Sequence, residues 1–335
     1  MIYRGVLALA AVLLFGTLAH SEQLSAARLG VLYNVDDPAS REIAAFYAMQ
    51  RKIPADNVIG IHLPNADVMT PEAFTPLRMH VLDLLPTAVQ SLALVWSKPY
   101  AVGCMSITTA MAAGYRGGFC LPGCAATLKN PLFDSDGWLP ADTVGWWPAM
   151  LLPSNDTVRA RALVQRGIAA DGSRPAGTLY LTRTQDTRRN VRAGTYPMVQ
   201  LMLERRLRVA ELAAPVLRDV PDAIGYFTGT AQVEELSRLH FLPGAIADHL
   251  TSGGGVLEGG SQMAVLSWLE QGATASYGSV SEPCNRLEKF PDIAALFDHY
   301  LHGETVLEAY WKSVAMPGQG LFVGEPLTRP FGVQP

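Results

Sequence analysis

Four side chains that could take part in catalysis lie in two stretches of the C-terminal half of the chain. The stretch "HLTSGGGVLEGGSQ", residues 249–262, contains His249 and Ser252, and Glu282 and Cys284 follow in "SVSEPCN". A serine or cysteine becomes a strong nucleophile when a base such as histidine lies beside it, and a carboxylate can act as a general acid or base. These four residues are therefore candidates for the catalytic groups of a hydrolase.

Each of the four candidates also has a structural interpretation, and the sequence favours that interpretation in each case. His249 can be a hydrogen-bonded core histidine, and it faces the opposite side of its strand from Asp248. Ser252 can be a turn or cap residue. Glu282, which precedes a proline, could be a general acid or base, but a non-catalytic glutamate is the favoured interpretation. Cys284 can be half of a disulfide instead of a free thiol.

The glycines of the 249–262 stretch fit neither common phosphate-binding motif. A dinucleotide motif needs a glycine where Glu258 stands, and a P-loop needs a lysine where Gly260 stands. Neither H-E-x-x-H nor G-x-S-x-G occurs anywhere in the chain. We therefore expect no nucleotide, metal or other cofactor.

The stretch instead marks the end of a strand at the functional edge of a parallel sheet. Predicted strands end near residues 228, 252 and 282, and ligands of open parallel sheets bind at the carboxyl ends of strands. A helix predicted over 261–272 would direct its first N–H groups toward the same edge. We predict a shared ligand pocket there, with these binding residues: Thr228, Thr251, Gly253, Gly254, Gly255, Ser261 and Gln262.

The elements that position this edge alternate between strands and helices. Residues 28–37 predict a strand, 36–53 a helix and 57–64 a second strand, which together form a βαβ unit. This pattern predicts an α/β fold, a mostly parallel sheet sandwiched by helices. Further strands are predicted at 91–97, 177–186, 222–229, 245–255, 273–280 and within 320–332, and further helices at 70–85, 106–115, 197–211, 261–272, 290–303 and 304–316.

Composition limits the possible partners. The chain has 335 residues, is 49% hydrophobic and carries a formal net charge of −4. Binding to nucleic acid requires a basic surface that neutralises phosphates, and the sequence shows no such stripe. We expect a ligand or peptide of the cell envelope as the partner, and no nucleic acid.

The N-terminus predicts export. Arg4 is followed by an uncharged apolar run of 15 residues, Gly5 to Ala19, and then by His20 and Ser21. This pattern predicts a signal peptide over residues 1–21. The run is shorter than the ~20 residues of a membrane span, so we expect no membrane span after cleavage and a periplasmic or extracellular location.

The cysteines agree with an oxidising compartment. Four are present, Cys104, Cys120, Cys124 and Cys284, and an even number in an exported protein favours disulfides. Three pairings are possible and the sequence does not select one. The Cys120-x3-Cys124 spacing could also supply zinc ligands, but no matching Cys/His pair follows, so disulfides are favoured over metal.

Two α/β regions follow the signal peptide. Residues 26–153 form the first, which ends in a Cys-, Trp- and Pro-rich excursion over 117–153, and residues 175–335 form the second. We expect the excursion to be ordered and held by a disulfide.

Several long segments resemble known proteins. "VLYNVDDPASREIAAFYAMQRKIPADNVIGIHLP", "GAIADHLTSGGGVL" and "SQMAVLSWLEQGATASYGSVSEPCN" resemble a family of uncharacterised exported bacterial proteins. The C-terminal part, with "GATASYGS", "GETVLEAYW" and "GEPLTRPF", is more distantly similar to gingipain-type cysteine peptidases, which have a caspase-like fold. The resemblance implies a caspase-like, or gingipain-like, arrangement of the C-terminal region.

The peptidase resemblance also implies positions for a catalytic pair, and this chain departs from both. Those peptidases end one strand with His-Gly, where Thr228-Gly229 stands here, and the next with a cysteine, where Ser252 stands. We therefore expect a degenerate, peptidase-like binding protein of the cell envelope. The alternatives are a peptidase-like hydrolase that uses Ser252 or Cys284 with His249, and a surface assembly factor.

Overall fold

A computed structural model describes residues 23–121, 124–214 and 216–332 of the chain. The predicted signal peptide, residues 1–21, lies outside the described residues. Within the described ranges, no helix is both long and apolar enough to cross a membrane.

Helices and strands alternate along the described chain, as the sequence predicts. The helices are α1 Pro38–Arg51, α2 Pro71–Leu84, α3 Ile107–Ala113, α4 Pro140–Val144, α5 Thr157–Ala170, α6 Tyr196–Leu203, α7 Leu266–Glu270, α8 Ile293–Leu301 and α9 Val306–Ser313. The strands are β1 Leu29–Asn34, β2 Val58–Ile61, β3 Val68–Met69, β4 Ser91–Val95, β5 Ala101–Val102, β6 Met105–Ser106, β7 Ala149–Leu151, β8 Thr178–Thr182, β9 Arg208–Leu212, β10 Val220–Thr228, β11 Leu239–His249, β12 Ala275–Ser279 and β13 Gly320–Gly324.

A large mixed sheet organises the described chain. Its ten strands follow the order β2-β1-β4-β7-β13-β12-β11-β10-β8-β9. Parallel pairing joins β2, β1, β4 and β7 on one side and β12, β11, β10, β8 and β9 on the other. β13 runs antiparallel to β12 over five residue pairs and meets β7 at the single pair Val323–Leu151. Helices flank this sheet, which confirms the predicted α/β fold with a mostly parallel sheet.

The sheet is continuous through both predicted regions, 26–153 and 175–335. β7, from the end of the 117–153 excursion, lies inside the sheet between β4 and β13. The caspase-like arrangement of the C-terminal region stays a prediction.

Local sequence explains how the first βαβ unit forms. Asp37 caps α1 by accepting a hydrogen bond from the backbone N–H of Ala39, and Pro38 occupies the first helical position. One face of α1 then buries Ile43 and Tyr47 against the sheet. Burial of side chains of this size contributes about 2 kcal/mol each.

Two helix predictions are wrong, and tertiary pairing explains both. The helix predicted over 197–211 ends at Leu203, and residues 208–212 form β9, which pairs with β8 at the edge of the sheet. The helix predicted over 261–272 is restricted to α7, Leu266–Glu270. The backbone N–H groups of Met263 and Val265 instead bind the carbonyls of Ala231 and Gly254.

The structure pairs all four cysteines in two disulfides, and so selects one of the three pairings that the sequence left open. Cys104 is bonded to Cys120, with 5.9 Å between their Cα atoms, and Cys124 is bonded to Cys284, with 5.1 Å. The second bond ties the excursion to the loop that follows β12. The described residues contain no free cysteine.

A buried charge cluster joins α8 to α9. His299 Nδ1 lies 3.1 Å from Glu304 Oε1, and Lys312 Nζ donates to the same oxygen at 2.8 Å. Burial lowers the pKa of His299, but its contacts with Glu304 and Asp134 outweigh that effect, so the pKa is raised overall.

Candidate functional site

The three strand ends that the sequence singles out are neighbours in the sheet. β10 pairs in parallel with β11, with Thr228 opposite His249, and β11 pairs in parallel with β12. The following loops contact loops from the N-terminal part of the sheet. Lys98, after β4, lies 2.6 Å from the carboxylate of Glu258, and the Ser281 hydroxyl donates to the Cys104 carbonyl at 2.7 Å. These loops therefore form one edge.

His249 is a buried histidine with both ring nitrogens hydrogen-bonded. Its Nδ1 accepts from the indole N–H of Trp268 at 2.9 Å, and its Nε2 lies 3.0 Å from the Met263 carbonyl oxygen. An indole N–H only donates and a carbonyl only accepts, so the ring carries its proton on Nε2. The proton faces Met263, and no lone pair is free to take a proton from Ser252.

The environment of His249 opposes its protonation. Burial lowers its pKa from 6.5 to about 4, and the charges of Arg192 and Arg189 act in the same direction. The hydrogen bond to Met263 acts in the opposite direction but is outweighed. The ring is therefore neutral at physiological pH, and both of its nitrogens are engaged in hydrogen bonds. Its role as a catalytic base stays a prediction.

Cys284 is not a nucleophile in this structure, because its sulfur is bonded to Cys124. Thiol catalysis requires a thiolate, which a disulfide lacks. The backbone N–H of Cys284 donates to the Glu282 carboxylate at 2.7 Å, so the carboxylate closes the turn locally. Cys284 and Asn285 follow with φ of 60° and 52°. Glu282 is exposed, and its observed contact is that of a turn residue.

Ser252 is half-buried at the start of the loop after β11. Within the described ranges, no side chain forms a hydrogen bond with its hydroxyl. A serine hydroxyl without a base has too high a pKa to supply a useful alkoxide. Among the described residues, no side-chain hydrogen bond links Ser252 to His249, Glu282 or Cys284, and the catalytic roles of these four residues stay predictions.

The side chain of Gln262 holds the loop in place. Its Oε1 accepts from the Thr251 hydroxyl at 2.6 Å and from the Gly253 N–H at 2.7 Å. Thr251 also accepts a hydrogen bond of 3.0 Å from Arg189 Nε. Ser261 lies exposed next to Gln262, and its carbonyl accepts from Gln232. Ser261 and Gln262 are therefore part of a turn and not of a helix N-terminus.

The middle glycines bring the loop against β12. The N–H of Gly255 donates to the Ser279 carbonyl at 2.9 Å, and the Gly254 carbonyl accepts from Val265 at 2.8 Å. A Cβ atom on Gly255 would lie 2.5 Å from the Gly278 carbonyl oxygen. Close chain approach explains this glycine. Roles of the loop in ligand binding stay predictions.

A buried ion pair lies under the ends of β10 and β11. Arg192 Nη2 donates to the carboxylate of Asp248 and, at 3.2 Å, to the carbonyl of Thr228. Burial lowers the pKa of Arg192, but the adjacent Asp248 raises it by more, so the guanidinium stays charged. The Thr228 hydroxyl is buried and has no hydrogen-bond partner among the described residues.

A cleft opens along the same edge of the sheet, at the ends of β1 and β4. Its volume is about 390 Å³, and it is lined by residues that follow several strands: Asn34, Asp36, Asp37, Pro38, Ala39, Leu63, Asn65, Ser97, Lys98, Asn155 and Glu258. β1 lies between β2 and β4 in the sheet. The strand that follows β1 along the chain is therefore on one side of it, and the later strand β4 is on the other side. Such a reversal point is where open parallel sheets bind ligands.

Ion pairs and hydrogen bonds fix the walls of the cleft. Lys98 Nζ lies 3.1 Å from Asp67 Oδ1 and 2.6 Å from Glu258 Oε2, which joins the loops after β2, β4 and β11. These contacts raise the pKa of Lys98, with the hydrogen bond to Glu258 as the largest cause. Ser97 accepts from the N–H groups of Ser154 and Asn155 at 3.1 Å each.

This cleft was not predicted from the sequence, although the sequence contains a signal for it. The first and third predicted strands end in polar residues, in "NVDD" at 34–37 and "SK" at 97–98. Carboxyl ends of parallel strands meet at one edge, so these residues could have been grouped. The buried ion pair of Arg192 was not predicted either, because no sequence pattern indicates it.

Comparisons with known proteins add little to this picture. The sequence matches no protein-family model and no curated protein. A solved structure titled "Structure of Protease" is similar with 11% sequence identity and a TM-score of 0.47, over 92% of this chain and 79% of that chain. This similarity is too low to support an inference about activity, and the α/β fold rests on the sheet and helices themselves.

Proposed function

We propose that this protein is an exported binding protein of the cell envelope, built on a peptidase-like α/β scaffold without a working catalytic pair. One observation carries the proposal: His249, the histidine nearest to Ser252 in sequence, is neutral and hydrogen-bonded through both ring nitrogens. The disulfide of Cys284 supports the same conclusion, because it removes the second nucleophile.

Export is supported by the cysteines and by the predicted signal peptide. Disulfides persist in oxidising compartments and are rare in the cytosol. The two disulfides, Cys104–Cys120 and Cys124–Cys284, fit a periplasmic or extracellular location.

We place the ligand in the cleft at the ends of β1 and β4. The cleft offers three carboxylates, Asp36, Asp37 and Glu258, against one lysine, Lys98. An excess of acidic groups in a concave site favours ligands with positive charge. Amide and hydroxyl groups of the same walls can bind peptide groups. The preferred ligand is therefore a short peptide with a free amino group or a basic side chain.

A paired assay tests binding against hydrolysis. The chain without residues 1–21 is incubated with pools of basic, neutral and acidic pentapeptides, and products are followed by mass spectrometry. Binding is followed by thermal shift and calorimetry. We expect stabilisation by the basic pool and no cleavage of any pool. Cleavage that is lost in Ser252→Ala would overturn the proposal in favour of a serine hydrolase.

Matched variants locate the binding site. Glu258→Gln removes one of the cleft carboxylates, and we expect several-fold weaker binding of the basic pool, with the effect reduced at high salt. Glu204→Gln alters an exposed glutamate at the end of α6 and serves as the control. Equal affinity of both variants for the basic pool would remove the cleft as the binding site.

A further inference from the structure

Helix α6 carries apolar side chains on its solvent face as well as on its buried face. The buried face is formed by Tyr196, Val199 and Leu203. On the solvent face, Met198, Leu201 and Met202 are 56%, 65% and 50% exposed, and their spacing of three and four residues places them side by side. We call these three residues the α6 stripe. A surface helix of a soluble protein normally carries polar side chains on this face, so the stripe points to a partner that covers it.

Exposed arginines adjoin the α6 stripe at its C-terminal end. The helical path continues beyond Leu203, because the N–H of Leu207 donates to the Leu203 carbonyl at 2.9 Å. Arg205 therefore lies one turn beyond the stripe on the same face of the helix, and it is exposed. Arg208, whose side chain is 77% exposed, reaches the carboxylate of Asp222 only at 3.7 Å. The apolar stripe thus ends in positive charge that faces solvent.

The charge of the surrounding segment favours an anionic partner. Residues 183–212 contain seven arginines against three carboxylates, whereas the whole chain carries a formal net charge of −4. Five of these arginines form ion pairs with carboxylates, which leaves Arg188 and Arg205 without one among the described residues. Glu204 is an exposed carboxylate at the margin of the stripe. This local excess is too small for nucleic acid, which requires many phosphate contacts, but it attracts a face toward an anionic surface.

The size of the stripe favours a lipid surface over a protein partner. A stable protein interface uses about 20–30 residues on each side, and the α6 stripe offers three. A symmetric contact with a second copy would also bring the arginines of both copies to one interface. A bilayer requires no matching shape, because apolar side chains enter the headgroup boundary while basic side chains meet anionic headgroups.

We propose that the α6 stripe docks this protein reversibly on an anionic lipid bilayer. Met198, Leu201 and Met202 enter the boundary between headgroups and acyl chains, and Arg205 and Arg208 contact the lipid phosphates.

The docked protein would keep its cleft free. α6 packs beside β9, the last strand of the sheet, whereas the cleft lies at the ends of β1 and β4 near the other end of the strand order. The inference rests on the exposed face of α6, and it does not depend on the binding function proposed for the cleft.

Flotation with lipid vesicles tests the docking. The chain without residues 1–21 is mixed with vesicles of phosphatidylcholine alone, or of phosphatidylcholine with phosphatidylglycerol, at low and at high salt. We expect binding to the phosphatidylglycerol vesicles that is lost at high salt. Binding to phosphatidylcholine alone should be at least about tenfold weaker, because each arginine near an anionic surface contributes about fivefold. No binding to the phosphatidylglycerol vesicles, or equal binding to both, would overturn the proposal.

Matched double variants locate the apolar contact. Leu201→Gln/Met202→Gln should weaken vesicle binding at least about tenfold, since it removes two apolar side chains from the bilayer boundary. Met49→Gln/Met79→Gln changes two side chains on α1 and α2 that are 64% and 62% exposed, and it should bind as the wild type does. Equal binding of the two double variants would place the lipid contact elsewhere and refute the assignment.

Single variants test the electrostatic contact. Arg205→Gln should weaken binding about fivefold, whereas Arg205→Lys keeps the charge and should bind as the wild type does. Arg116→Gln, at an exposed arginine outside residues 183–212, is the control and should have no effect. The same affinity for Arg205→Gln and Arg116→Gln would contradict the role of Arg205.

Analytical ultracentrifugation separates lipid docking from self-association. We expect the same mass for the wild type and for Leu201→Gln/Met202→Gln in the absence of lipid. A wild-type dimer that this double variant dissociates would assign the stripe to a second copy of the chain and overturn the proposal.

Discussion

The burial of His249 should make this protein less stable at acidic pH. In the native state its pKa is lowered to about 4 by burial, whereas in an unfolded chain a histidine has a pKa of about 6.5. Between these values the unfolded chain binds a proton that the native state rejects. Stability is therefore highest above pH 6.5 and falls as the pH falls toward 4.

The expected size of this effect follows from the two pKa values. The difference between 6.5 and about 4, at 1.36 kcal/mol per pKa unit, corresponds to about 3 kcal/mol for complete titration. About 2 kcal/mol of this is already lost at pH 5, where the unfolded histidine is charged and the native one is neutral. A loss of this size is a large fraction of the stability of a typical domain.

Guanidinium unfolding followed by tryptophan fluorescence measures the effect at pH 7 and pH 5. Other groups titrate in the same range, so the comparison is with His249→Gln, which retains an amide donor and acceptor but no titration. The wild-type protein should lose about 2 kcal/mol more than the variant between the two pH values. Imidazole NMR of the same samples should show His249 neutral at pH 5, with its proton on Nε2.

Two results would refute this reasoning. Equal pH dependence of wild type and His249→Gln would mean that the burial of His249 does not oppose its charge. An NMR midpoint for His249 near 6.5 would mean that the ring is accessible and able to act as a base.

Three further outcomes are expected. The double variant Cys124→Ser/Cys284→Ser should have a free energy of unfolding about 2–4 kcal/mol lower than the wild type, measured in urea. A thiol reagent should detect no free thiol in the unreduced wild type, even when it is denatured. One reactive thiol would contradict the pairing. Gly255→Ala should lower the free energy of unfolding by about 1–3 kcal/mol, because the added Cβ meets a backbone oxygen. Gly194→Ala, with open space around its Cβ, should change it by no more than about 0.5 kcal/mol. Equal effects of the two substitutions would refute the close approach at Gly255. His299 has a raised pKa, so it contributes stability below pH 6.5 that is lost as the pH rises through its native pKa. The wild type should therefore lose stability relative to His299→Gln between pH 6 and 8. A gain in stability relative to the variant would contradict the raised pKa.

The strand-helix order was predictable because each element carries its own local signals. The cap at Asp37 and the apolar spacing through Tyr47 define α1 without any tertiary information. Short polar links between such elements imply parallel pairing, and the adjacent ends of β10, β11 and β12 follow from it.

The failures of prediction have a common cause, which is pairing between distant segments. The role of His249 depends on Trp268 and on the Met263 carbonyl, and the shortening of α7 depends on Gly254. Arg192 meets Asp248 across 56 positions of sequence. A local pattern contains no information about such partners, so catalytic and structural interpretations of His249 could not be separated from the sequence.

The disulfide pairing illustrates the same limit. Four cysteines permit three pairings, and the sequence alone selects none of them. Cys124 and Cys284 lie 160 positions apart, and they meet because the excursion folds back onto the loop after β12. Because of this pairing, Cys284 has no free thiol that could act as a nucleophile.

The central claim, a scaffold without a nucleophile and base, is tested most directly by covalent labelling under native, unreduced conditions. The chain without residues 1–21 is treated with a fluorophosphonate and with iodoacetamide, and the intact mass is measured. We predict an unchanged mass with both reagents, because the Ser252 hydroxyl has no base and Cys284 has no thiol. A single adduct that maps to Ser252 or to Cys284 would contradict the account.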